Sequence, residues 1–134
     1  MLSGCASVAP FDNSKNGACT SEQSRVVADH ITEQIEAFKD QDFERAYSFA
    51  AVSFQENINL DVFSQSIQAQ YFMLLDNSGV EFGQCEIING DVLQIVTVTS
   101  SQNDYTLNYV LSIEDGKLGV VAAVVTSVSD TTIT

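Results

Sequence analysis

Residues 104 to 127 constrain the fold of this chain more than any other stretch. YTLNYVLSI, EDGK and LGVVAAVVTS read as two long β-strands joined by Asp115-Gly116. On the first arm Tyr105, Leu107, Tyr109, Leu111 and Ile113 share one face, and Thr106, Asn108, Ser112 and Glu114 the other. Only Val110 interrupts the polar row. This is the period-two pattern of a half-buried strand, and Asp-Gly supplies the positive φ angles of a tight hairpin. The returning arm is apolar on both faces, with Leu118, Val120 and Val124 against Val121 and Val125. That composition predicts a central strand covered on both sides.

A chain of 134 residues holds one domain with a real core. Its apolar content of 45% with 17% charged residues is that of a globular protein. Eighteen acidic against five basic side chains give a net charge of −13. Such a surface repels phosphate backbones, and no Lys/Arg cluster offsets it locally, so nucleic acid is excluded as a partner. The acidity itself reads as solubility.

The three cysteines fall into two groups. Leu2-Ser3-Gly4-Cys5 resembles a bacterial lipobox, the end of a lipoprotein signal peptide, in which the Cys thiol is joined to diacylglycerol and becomes the new N-terminus. The resemblance implies lipidation at Cys5 and an extracytoplasmic domain anchored to a bacterial membrane. The basic and apolar regions of a signal peptide do not precede Leu2 here, which implies a start further upstream or a trimmed chain. In an oxidising compartment Cys19 and Cys85 then read as a disulfide. It would tie the segment before the first helix to a strand, and closing so long a loop stabilises by ~4 kcal/mol in the chain-entropy model. Two unrelated buried thiols are the plainer alternative. The cysteine spacing fits no zinc pattern, and the sequence points to no metal or other cofactor.

Residues 6–19 hold the only proline and several turn formers, and read as a flexible tether between the lipobox at 1–5 and the domain. About a dozen extended residues would reach ~40 Å. Residues 20–127 form a single domain, and 128–134 a loose polar tail. Thr20 and Gln23 make a capping box, followed by an apolar stripe of Val27, Ile31, Ile35 and Phe38. Asp42 caps a second helix bearing Phe43, Ala46, Tyr47 and Ala50. Ser53 and Glu56 offer another capping box, and Asp61 opens a third main helix that buries Val62, Phe63 and Ile67. Strands over 80–88 and 92–99, turned at Asn89-Gly90, lead into the closing hairpin. Helices first and an antiparallel meander after them make an α+β fold with the helices on one face.

This order is similar to the nuclear transport factor 2-like, or cystatin-like, cone, in which helices pack into the mouth of a curved sheet. More specifically, Ile35-Glu36-Ala37-Phe38-Lys39-Asp40-Gln41-Asp42 followed by Ala46-Tyr47-Ser48-Phe49-Ala50 resembles a stretch of the uncharacterised bacterial family domain of unknown function 4864. Phe63 and Tyr71, then Tyr105 to Tyr109 and Asp115-Gly116-Lys117-Leu118, fall where that family has its last helix and closing hairpin. The family usually carries Trp after the Asp-Gly turn, where this chain has Leu118. The resemblance implies a fold and no activity.

Enzymes of the wider superfamily place a carboxylate or histidine base inside the cone. Here the inward row of the closing hairpin has neither. His30 flanks the stripe of the first helix and Gln34 lies within it, and Tyr47, Tyr71, Tyr105 and Tyr109 are the hydroxyls that would face a pocket with them. The same tyrosines equally fill an aromatic core, each hydroxyl on a backbone partner. No residue is assigned as catalytic. The first functional reading is a non-catalytic lipoprotein domain that binds a small apolar ligand or an envelope protein. The alternatives are an isomerase, cyclase or hydrolase using His30 with a tyrosine, and a purely structural envelope protein. The polar outer row of the hairpin points to a monomer.

Overall fold

The computed structural model describes Phe11, residues 15–101 and residues 103–130. The lipobox at residues 2–5 and most of the expected tether lie outside the described residues. Among the described residues the order is β1 (Gly17–Ala18), α1 (Ser21–Lys39), α2 (Phe43–Ser48), α3 (Val52–Asn57), α4 (Leu60–Gln70), α5 (Phe72–Leu75), β2 (Gly79–Ile88), β3 (Asp91–Thr99), β4 (Asn103–Glu114) and β5 (Lys117–Asp130). The strands form one antiparallel sheet in the order β1-β2-β3-β4-β5, and the helices precede its four long strands. This is the expected α+β arrangement, consistent with a nuclear transport factor 2-like cone.

Local chemistry fixes the first helix. Thr20 Oγ1 accepts from the Gln23 amide at 3.1 Å, and Gln23 Oε1 accepts from the Thr20 amide at 2.8 Å, closing the capping box. Val27, Ile31, Ile35 and Phe38 are all buried against the sheet. The helix stops because Gln41 takes a left-handed conformation (φ 58). The Gln41 amide bonds the Phe38 carbonyl and the Asp42 amide that of Ala37, a Schellman ending with glutamine where glycine is usual. Asp42 then caps α2 through the Arg45 amide at 3.1 Å.

Both long hairpins turn on two positive-φ residues, Asn89-Gly90 and Asp115-Gly116. The inward row of β4 is buried from Tyr105 through Leu111. β3 adds Val92, Gln94, Val96 and Val98. Gln94 is polar on that row for a local reason. A bulge between Phe82 and Cys85 turns carbonyls out of the β2 ladder, and Gln94 Nε2 meets those of Gly83 and Gln84 at 3.0 and 3.3 Å. Two further register shifts, at Thr106/Leu107 and Val110/Leu111, bend β5 across β4.

Several expectations are corrected. β5 is an edge strand rather than a central one. Its apolar run arises because residues 120–124 line a cavity, while Val128, 54% exposed, lies beyond them. Residues 128–130 continue β5, with Asn103 opposite Asp130, so the loose tail does not begin at 128. At the other end Gly17 and Ala18 pair with Ile87 and Glu86, Cys19 N donates to Cys85 O at 2.9 Å, and Phe11 is buried in the core. The expected tether therefore gives way to packed structure before Cys19. Cys19 and Cys85 form a disulfide (Cα–Cα 5.3 Å) that locks this segment to β2. Ser53 is not a cap: α3 starts after Ala51, and Ser53 N and Oγ both donate to the Glu114 carboxylate, which caps from a distant strand and is held below the usual carboxylate range by these bonds. Val62 is 46% exposed rather than buried, and Asn59 rather than Asp61 caps α4, through the Val62 amide.

Candidate functional site

A cavity of about 320 Å³ opens between the helices and the β4–β5 hairpin. α1 contributes Gln34 and Phe38, α4 contributes Phe63 and Ile67, and β4 contributes Tyr109. Residues 120–124 of β5 complete the wall. The volume lies at the lower end of the ~300–1,000 Å³ typical of small-molecule sites.

Aromatic packing holds the helical wall. Phe63 is the hub, with ring centroids 5.7 Å from Phe38, 5.3 Å from Tyr47 and 5.9 Å from Phe54. Tyr47 stands behind this wall. Its hydroxyl lies within hydrogen-bond reach of the Gln55 and Ile58 carbonyls and so fixes the link from α3 to α4. The side toward β5 is closed by a chain of bonds that begins on α1. Gln34 Nε2 donates to Ala46 O at 3.1 Å, and His30 Nε2 sits 2.9 Å from Phe49 O, with its ring edge-on to that of Phe49. The segment so held reaches β5: Val120 N donates to Phe49 O at 3.0 Å, and Ala51 N to Val120 O at 2.8 Å. Ala50 bridges Val120 as a one-rung parallel ladder, and this contact forms one end of the cavity.

Of the six expected pocket residues, Gln34, Tyr71 and Tyr109 line the cavity, while His30, Tyr47 and Tyr105 do not. Tyr105 is buried under Phe72, and its hydroxyl accepts from Asn103 Nδ2 at 3.4 Å. His30 is buried against Phe49 and is not among the described residues that line the cavity. Burial lowers its pKa, against smaller upward effects from the Phe49 carbonyl and Glu33. Tyr109 is fully buried, which raises its pKa well above the ordinary tyrosine value, with Tyr71 adding to the shift. Its hydroxyl has no hydrogen-bond partner among the described residues.

The histidine makes a testable prediction. The unfolded chain protonates His30 near the ordinary value of 6.5, while the folded chain resists until lower pH. Between those points the unfolded state binds more protons, so stability is full above about 6.5 and falls as pH drops below it. His30 is the only histidine in the chain, so melting curves from pH 7.5 down to about 5.5 isolate it. His30→Gln should flatten this decline, and an unchanged slope would show that His30 is not its source.

Among the described residues no group of three His, Cys, Asp or Glu side chains could hold a metal, and no helix is long and apolar enough to cross a membrane. The described residues thus define an α+β domain with an apolar cavity between its helices and the closing hairpin. Residues 20–131 match the family model described as domain of unknown function (DUF4864), and the chain belongs to that family. No curated protein and no solved structure matches it.

Proposed function

We propose that this is an extracytoplasmic domain of nuclear transport factor 2-like architecture, lipid-anchored through Cys5, whose cavity binds a small apolar ligand without converting it. The observation that carries the reading is the cavity, whose wall holds no histidine and no carboxylate among the described residues. Without a base facing the space, acid-base chemistry on a bound molecule has no group to start from. The Cys19–Cys85 disulfide supports an oxidising compartment, because such bonds persist there and are rare in reducing ones. Leu2-Ser3-Gly4-Cys5 supports the anchor. An envelope protein as partner is the second reading, favoured by the open edge of β5 with its exposed Val128.

Anchoring is tested by fractionating a bacterial host that expresses the full-length precursor with labelled palmitate. The wild-type protein should carry label and sediment with membranes, whereas Cys5→Ala should be unlabelled and soluble. A Cys5→Ala protein that stays with the membrane would contradict the anchor.

A further inference from the structure

The cavity is neutral as well as apolar. Among the described residues no Lys, Arg, His, Asp or Glu lines it, and the polar side chains that do are amides and hydroxyls. Ser66, Gln70 and Tyr71 lie on the more exposed side of that wall, whereas Gln34 and Tyr109 are buried. Gln34 is already held on the Ala46 carbonyl. Tyr109 is different: only 1% of it is exposed, and its oxygen has no partner among the described residues. The buried hydroxyls of Tyr47 and Tyr105 both meet protein groups. A buried hydroxyl left unpaired costs ~1–3 kcal/mol, and native structures hold few of them. Tyr109 lines the cavity, so an acceptor on a molecule bound there is the partner that this donor lacks.

We propose that the ligand is a neutral, largely hydrocarbon molecule bearing one carbonyl-type oxygen, which accepts a hydrogen bond from the Tyr109 hydroxyl. The hydrocarbon part lies between Phe63 and Ile67 of α4 and residues 120–124 of β5. This inference rests on the ligand-binding reading above. Burial keeps the phenol protonated, so it remains a donor throughout the physiological pH range. A carboxylate in the same place would lose its hydration and find no cation, inside a chain of net charge −13. Fatty acids and other anionic amphiphiles are therefore excluded in favour of ketones, esters and amides.

The test titrates three probes of similar size, benzylacetone, butylbenzene and phenylbutyrate, into the full oxidised chain and into Tyr109→Phe, read by protein-detected NMR. Tyr109→Phe removes an unpaired buried oxygen, so it should melt no lower than the wild type, which establishes that it is folded. In the wild type benzylacetone should bind more tightly than butylbenzene, and phenylbutyrate weakest. In Tyr109→Phe the preference for benzylacetone over butylbenzene should shrink by roughly 3- to 10-fold, the worth of one neutral hydrogen bond. Equal binding of the two neutral probes to the wild type, a preference that survives Tyr109→Phe, or tightest binding of phenylbutyrate would overturn the inference and leave the cavity reading standing. Binding of none of the three to the folded, oxidised protein would overturn both.

Discussion

Gly119→Ala is expected to destabilise the protein by about 3 kcal/mol or more and to lower its melting temperature by roughly 10 °C. A Cβ at position 119 would lie 2.4 Å from the Ala51 Cα and 2.7 Å from its nitrogen. These are backbone atoms, which no rotamer change moves aside. Relief requires that residues 49–51 retreat from β5, and that retreat breaks the bonds of Val120 to Phe49 and Ala51. Ala50 and Val120 would separate, and the cavity would open at that end. Amide exchange should therefore accelerate at Ala51 and Val120 in particular. Gly79→Ala is the control, since a Cβ there meets nothing within 4 Å and the backbone is not left-handed. Equal melting temperatures for the two variants would show that the 49–51 segment does not depend on close approach to β5.

Loss of the disulfide is the second large effect. Cys19 and Cys85 are separated by 66 residues, and a loop of that length restricts the unfolded chain enough to stabilise the fold by ~4 kcal/mol. The bond also holds β1 in register on β2, beside the Cys19 to Cys85 backbone bond and the Asn16 side chain on the Asn89 amide. The Cys19→Ser/Cys85→Ser double variant should unfold at a markedly lower urea concentration than the oxidised wild type. Reduction of the wild type should shift its curve toward that of the variant. Coincident curves for all three would mean that the packing of β1 alone holds this edge.

What was legible in the sequence follows the range of the interactions. Thr20 with Gln23, the stripe from Val27 to Phe38, and the turns at Asn89-Gly90 and Asp115-Gly116 are set by near neighbours, and they form as their residues dictate. Residues whose role depends on distant partners do not show that role in their local pattern. Ser53 looks like a cap until Glu114 arrives from 61 positions away. The apolar run of β5 looks like a central strand because period-two patterning does not distinguish a neighbouring strand from a cavity. Tyr109, Tyr71 and Gln34 meet the cavity while His30, Tyr47 and Tyr105 pack against Phe49, Phe63 and Phe72, and only tertiary packing separates the two groups. Gly119 sits inside a strand with no turn to explain it, and glycine in a strand interior often marks the close approach of another backbone.

Native mass spectrometry of the oxidised protein, purified from its native host, tests most directly whether the cavity beneath α4 holds a small neutral ligand. The spectrum should show a fraction of the chain carrying a single discrete non-covalent adduct of small mass, lost on denaturation and absent from a Ser66→Phe variant whose added ring enters the cavity. An oxidised, folded chain that carries no adduct and gains none when offered neutral apolar probes would contradict it.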